Sequence, residues 1–206
     1  MIKTIEKKCH AWWWPEYDTE LIKVFDDVDD IEAIVRHTRE TMVCVQAGGA
    51  CGVWPFYLRQ KFHTVYTFEP DATNFECLTR NLGGVPGIEA YNAALGSQRG
   101  FCHIRRDAGE RTNAGAGYIE PGGVVPVVAI DEMRLVFCDL IQLDIEGGEL
   151  DALLGAYLTI QRFRPVIVIE EKRLPQCDDH LAARGFLERM GYKERGRIHR
   201  DVIFTC

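Results

Sequence analysis

Short runs rich in β-branched and aromatic residues alternate along the chain with stretches whose apolar residues recur at helical spacing, the pattern of a parallel-sheet α/β fold. The first such run, TMVCVQA (41–47), passes through GGACG into a helix over WPFYLRQKF. A second, TVYTFE (64–69), precedes a helix starting near PDATNFECLTRNL, and a third, IEAYNAAL (88–95), completes a βαβαβ cadence. Residues 96–123 are irregular and rich in Gly and Arg. They hold one strand, FCHIRR (101–106), and lead into another, VVPVVAI (124–130), as a hairpin-like insertion with a long loop. The rhythm resumes with CDLIQLDI (138–145), a helix over 148–163, the strand PVIVIEE (165–171) and a helix near DDHLAARGFLERMG. Two short strands, around Tyr192 and at 202–206, are expected to close the sheet edge. Upstream, the opening to about residue 17 reads as aromatic and irregular, and apolar spacing at Leu21, Ile22, Phe25 and Val28, then Ile31, Ile34 and Val35, predicts two short helices.

At 206 residues the chain makes about one domain. Residues 1–40 are expected to pack on a core domain spanning 41–206. The composition, 47% apolar and 27% charged, is that of a globular protein and excludes fibrous or disordered classes. A net charge of -7 leaves no global basic field to gather nucleic acid or anionic lipid, so neither is expected as a partner. No apolar run is long enough to span a bilayer. The eight cysteines form no C-x-x-C pair and no cluster with His at zinc spacing, and read as reduced thiols in a cytoplasmic protein.

Chemistry concentrates at the ends of the strands. After the first come Gln46, Ala47, Gly48, Gly49, Ala50, Cys51 and Gly52. Glycine there is what a strand-to-helix turn needs if backbone is to meet a ligand. Ala47, Gly49 and Gly52 match a dinucleotide spacing except for its first glycine, Gln46, Gly48 and Gly52 suit a nucleoside-methionine cofactor, and a tight turn without ligand makes the same demand. Glu69 closes the second strand about 20 residues further on, where doubly wound folds place a carboxylate for ribose hydroxyls. Followed by Pro70 and Asp71, it also suits a helix start with Asp71 as cap. Asn92 offers an amide to a base edge or to its own turn. The densest signal is Asp144-Ile145-Glu146-Gly147-Gly148-Glu149, with two carboxylates at a strand's carboxyl end and a third at a helix start. Open α/β sheets bind ligands at that edge, while Glu149 suits the helix dipole.

With these residues assembled, the chain resembles the FkbM family of S-adenosylmethionine-dependent methyltransferases. The likeness runs through VCVQAGGACGVWP, VYTFEPDATNFECLTRNL, YNAALGS, VPVVAIDEM and LIQLDIEGGELDALLGA, over about residues 42–171. The resemblance implies a class I methyltransferase fold: a Rossmann-like three-layer α/β sandwich on a mostly parallel seven-stranded sheet with an antiparallel strand near the edge, plus a small β insertion around 100–130. It implies S-adenosyl-L-methionine as cofactor, S-adenosyl-L-homocysteine as product, and methyl transfer to oxygen of sugars or other small hydroxylated molecules. Carried onto this chain, Gln46, Ala47, Gly48, Gly49 and Gly52 form the methionine cradle, Glu69 with Pro70 binds the ribose, Asn92 and Ala93 approach the adenine edge, and Asp144 and Glu146 lie beside the transferred methyl as catalytic candidates. The family usually carries Asp or Glu at Gln46, so here a neutral hydrogen bond replaces a charge pair. Ala50-Cys51 stands where the family often has an Asn.

Other features are less directed. Trp12, Trp13, Trp14 and Tyr17 suit a lid over a sulfonium, but suit core packing or a contact between two copies better. Arg99, Arg105, Arg106, Arg111 and Asn113, with Lys193, Arg195, Arg197 and Arg200, are candidates for an anionic acceptor, although most such runs are solvated faces. The six histidines show no metal spacing; His103 alone leads toward the acceptor loop. Asp144, Glu146 and Glu170 are hard oxygen ligands without a His or Asn to complete a set, so no metal is expected. The rival readings are an NAD-type oxidoreductase, which lacks a Tyr-x-x-x-Lys pair and leaves the carboxylates of D-I-E-G unused, and a non-catalytic cofactor- or partner-binding domain.

Overall fold

Two antiparallel strands open the chain, β1 (Ile2–Lys7) and β2 (His10–Pro15), so the aromatic start is a regular hairpin and not the irregular segment expected. Its turn residues, Lys8 and Cys9, both sit at positive φ without the Gly, Asn or Asp that marks such a turn in sequence. Alternation then sorts the tryptophans. Trp12 and Trp14 are buried against Phe25, Val28 and Val53, while Trp13 between them lies under the Arg80 guanidinium, 4.6 Å from its ring centre. Helices α1 (Val24–Asp27) and α2 (Ile31–Val35) follow, joined by 3-10 turns at Leu21–Lys23 and Val28–Asp30. This computed structural model describes residues 1–106, 112–171 and 179–206, with side chains of the last stretch from 181 onward.

The main sheet takes up β3 (Val43–Ala47), β4 (Thr64–Phe68) and β5 (Ile88–Tyr91), connected by α3 (Val53–Arg59) and α4 (Ala72–Leu82). A smaller sheet intervenes, built from β6 (Ala94–Leu95), β7 (Gly100–Arg105), β8 (Tyr118–Pro121) and β9 (Val125–Val128) in the order β6-β9-β7-β8. The chain then returns through β10 (Leu140–Leu143), α5 (Glu149–Leu154), α6 (Tyr157–Phe163), β11 (Val166–Glu170), α7 (Asp179–Arg189), β12 (Lys193–Ile198) and β13 (Asp201–Thr205). The strand order is β12-β13-β11-β10-β3-β4-β5, with β13 antiparallel to both neighbours. This is the expected seven-stranded sheet. Strands β3, β10 and β11 are apolar on both faces because helices cover both: Ala152, Leu153, Ile160 and Phe186 on one side, Ile31, Ile34, Leu58 and Phe62 on the other.

Two expected elements divide. The run 88–95 splits because β5 pairs with β4 while Ala94 and Leu95 cross to pair with β9. The helix over 148–163 breaks between α5 and α6. A Cβ on Gly155 would stand 2.0 Å from the carbonyl oxygen of Gly96, and α6 is capped from afar by Asp131, which accepts from the backbone N–H groups of Leu158 at 2.9 Å and Thr159 at 2.8 Å.

Candidate active site

Strand order reverses between the parallel neighbours β3 and β10, since β4 and β5 lie to one side of β3 and the later strands to the other, and such a switch point opens a crevice at the strands' carboxyl ends. Here that crevice is a cavity of about 370 Å³. Of the residues singled out in the sequence, Gln46, Ala47, Gly48, Gly49, Glu69, Pro70, Ala93, Asp144 and Glu146 line it; Gly52 and Asn92 do not.

The glycine turn is held close to its neighbours. Gly48 has φ +83°, and a Cβ there would lie 2.0 Å from the backbone oxygen of Asp144, so only glycine lets β3 and β10 end side by side. Its N–H and that of Gly49 both donate to the carbonyl of Phe68, at 3.1 and 2.9 Å. Gly52, at φ +90°, starts α3 and faces Leu82 instead of the cavity. Gln46 is committed internally: its Nε2 donates to the Ala47 carbonyl at 3.1 Å and its Oε1 accepts from the Thr67 hydroxyl at 2.5 Å. Cys51 is buried, and burial pushes its thiol well up, as befits an inert core residue. The other cysteines among the described residues are free as well; Cys177 lies outside them.

Glu69 is 5% exposed and holds the turn together. Its Oε2 accepts from the N–H of Ala50 at 2.7 Å and its Oε1 from that of Asp71 at 2.8 Å. Burial nevertheless raises its carboxyl to about 7, against the opposing pull of those hydrogen bonds. Asp71 caps α4 as expected, accepting from Thr73 and Asn74, and pairs with Arg106 at 2.9 Å. Asn92 pins strand ends: its amide donates to the carbonyls of Glu69 at 2.9 Å and Pro70 at 3.2 Å. Asn74 Oδ1 and Arg106 Nε are buried with no hydrogen-bond partner among the described residues, and both residues line the cavity. Unmet donors and acceptors on a cavity wall suit a polar ligand.

Opposite lies the D-I-E-G turn. Glu149 does more than face a helix dipole: it is buried and accepts from the N–H groups of Ile145 and Gly147, each at 3.3 Å, which closes the loop. Glu146 sits at φ +55°, a strained conformation for a side chain-bearing residue, and turns back toward Asp144. Asp144 is exposed to the cavity just past the end of β10. Desolvation by the protein packed around it first, then Glu170, Asp201, Glu146 and Glu149, push its carboxyl well above the usual carboxylate range. Sequence reasoning passed over Gln142 and Asp201, which also line the cavity; a lone polar residue inside LIQL was the available signal for the first.

The basic residues are largely answered within the chain. Arg99 pairs with Glu132, Arg105 with Glu120, Arg197 with Glu171 and Arg200 with Glu170, and only Arg106, Asn113 and Arg200 of those singled out line the cavity; Arg111 lies outside the described residues. His103 is exposed on β7 beside Glu120 and away from the cavity. Trp14, Leu21 and Ala114 also line the cavity, and one carboxylate ties them: Asp18, 4% exposed, accepts from Trp14 Nε1 at 2.7 Å, from the N–H of Leu21 at 3.0 Å and Ile22 at 3.1 Å, and from that of Ala114 at 3.0 Å.

The methyltransferase FkbM domain model matches residues 46–194, a stretch that holds β4, β5, β10 and β11 of the main sheet whole, the end of β3 and the start of β12. The chain belongs to the FkbM methyltransferase family. Among solved structures, this FkbM domain is similar to methyltransferase FkbM from Methylobacillus flagellatus KT, with TM-score 0.58 and 19% identity over 93% of this chain and 55% of that one. The chain thus spans about half the length of that relative. It is also similar to precorrin-6y C5,15-methyltransferase from Geobacter metallireducens GS-15, with TM-score 0.55 and 15% identity over 90% of this chain and 89% of the other. A third likeness is to the tRNA (uracil-54, C5)-methyltransferase of Pyrococcus abyssi in complex with S-adenosyl-L-homocysteine, with TM-score 0.54 and 14% identity over 99% of this chain and 43% of the other. None of the curated proteins matches the chain. At these identities the structures establish the class I methyltransferase fold of the FkbM domain. Among the described residues no helix is long and apolar enough to cross a membrane.

Proposed function

We propose that this FkbM domain is a cytoplasmic S-adenosylmethionine-dependent O-methyltransferase acting on a sugar or another small hydroxylated molecule. The observation that carries the reading is the single cavity shared by the glycine turn, Glu69 and the paired carboxylates Asp144 and Glu146. S-adenosylmethionine supplies an electrophilic methyl on a sulfonium when bound. Glu69 keeps acceptor capacity on both oxygens beyond the two backbone N–H groups it serves, enough for ribose hydroxyls. Gln46, occupied by Thr67 and Ala47, leaves recognition of the methionine end to the backbone of the turn. Asp144 and Glu146 stand where they would orient an acceptor hydroxyl, take up its proton and offset positive charge. Positioning does most of the work: holding a nucleophile about 3 to 3.5 Å from the reacting carbon supplies several kcal/mol of the barrier.

Calorimetric titration with S-adenosylmethionine, S-adenosylhomocysteine and NAD, followed by labelled-methyl transfer to a panel of glycans and small hydroxylated molecules, tests the reading. Binding of the first two and not of NAD, with label on an acceptor oxygen, is expected. Binding of NAD alone would restore the oxidoreductase reading, and cofactor binding without transfer to any acceptor would favour a non-catalytic domain.

A further inference from the structure

Parallel pairing of β10 with β11 sets Leu143 opposite Ile169, so the next residues, Asp144 and Glu170, leave the sheet side by side. The positive φ of Glu146 and Gly147 then folds a third carboxylate back onto them. One oxygen from each of Asp144, Glu146 and Glu170 lies within 4.8 Å of the other two. Oxygens bound at roughly 2.1 to 2.4 Å around a common cation stand no more than about 4.8 Å apart, so these three have the spacing of a coordination sphere.

A second observation points the same way. Gln142 is two residues before Asp144 on β10, and strand alternation aims both at the same side of the sheet. Gln142 is 2% exposed and lines the same cavity, and its Oε1 has no hydrogen-bond partner among the described residues. An unmet amide oxygen on the cavity wall, on the same side of the sheet as Asp144, offers a fourth hard oxygen donor. We infer that Asp144, Glu146 and Glu170, backed by Gln142, form a binding site for a divalent cation of the Mg²⁺, Mn²⁺ or Ca²⁺ class. The donor set is all oxygen, which selects these ions over zinc or copper. Asp201, the register partner of Glu170 on β13, adds a further carboxylate close by. Among the described residues the guanidinium of Arg200 lies 3.2 Å from Glu170; its side chain is 62% exposed and free to swing into solvent as an ion enters.

The site departs from the sequence expectation of no metal. Its role rests on the methyltransferase reading: a cation there would hold the acceptor's hydroxyl oxygen at the carboxylate end of the cavity. A second convergent set, Asp27, Asp30 and His199, lies in the same cavity lining and serves as the control, since none of the unmet buried atoms found among the described residues is on the segments that carry it.

The test is titration of the full chain with Mn²⁺ alone, in amine-free buffer, followed by electron paramagnetic resonance of the free ion, with S-adenosylhomocysteine affinity measured separately so that the two readings fail independently. One Mn²⁺ per chain is expected, weakened about 10-fold or more by Glu170→Gln and by Asp144→Asn, several-fold by Gln142→Leu, and unchanged by Asp27→Asn. Should Asp144→Asn fail to fold by circular dichroism, Glu170→Gln decides alone. No saturable binding up to about 10 mM, binding that survives Glu170→Gln, or binding lost in Asp27→Asn overturns the inference.

Discussion

Glu69 carries two duties that a sequence presents as one. Its carboxylate, proposed above to meet ribose hydroxyls, already fastens Ala50 and Asp71. Glu69→Ala is therefore expected to weaken S-adenosylhomocysteine binding by roughly 10-fold or more, as loss of a hydrogen bond to a charged group costs about 1.5 to 3 kcal/mol, and to loosen the turn as well. Glu69→Gln, which keeps an acceptor, should lose less on both counts; calorimetry showing equal affinity for wild type and the Ala variant would remove Glu69 from the site. Asp144 separates two roles in the same way. If it positions and deprotonates the acceptor, Asp144→Asn lowers single-turnover rates by about 100-fold or more while cofactor affinity holds. If it offsets sulfonium charge from a distance, the variant binds S-adenosylmethionine more weakly and the neutral-sulfur product as before.

At the scale of elements, the ends of β3 and β10 touch through Gly48. Gly48→Ala places a methyl on the Asp144 carbonyl and demands φ +83° of an L-residue, and is expected to cost about 3 kcal/mol in urea unfolding and to weaken cofactor binding. This contact also shows what a sequence reveals. The strand runs 41–47, 64–69 and 165–171 were legible because a sheet buried on both faces demands unbroken apolar runs, and the carboxylates after them because a charge at such a strand end stands out. The hairpin β1–β2 was not, since Lys8 and Cys9 adopt a turn their side chains do not advertise. Nor was the break between α5 and α6, which depends on Asp131 and Gly96, residues brought near only by the fold. Gln142 was hidden for the opposite reason: its neighbours say strand, and only the fold shows that its amide oxygen has no hydrogen-bond partner among the described residues.

For the whole molecule, Glu69 couples folding to pH. Its carboxyl titrates near 7 when folded against an ordinary 4.5. Between those values the folded chain holds a proton that the unfolded chain has released, so stability from this group is full below about 4.5 and declines as pH rises to 7. Thermal melts without cofactor should show a higher Tm at about pH 5.5 than at about pH 7.5 by a few degrees, and Glu69→Gln should reduce that difference without abolishing it, because the carboxyls of Asp201 and Asp144 are raised in the same direction. A last consequence belongs to Asp18. Trp14, Leu21 and Ala114, drawn from three separate segments, share its carboxylate, so this part of the cavity wall is held by several bonds that must break together for it to move. Residence time is then the quantity Asp18 governs: in stopped-flow measurements Asp18→Asn is expected to speed S-adenosylhomocysteine release about 10-fold while the association rate stays near its original value, making the hairpin's small clasp a clock for product exchange.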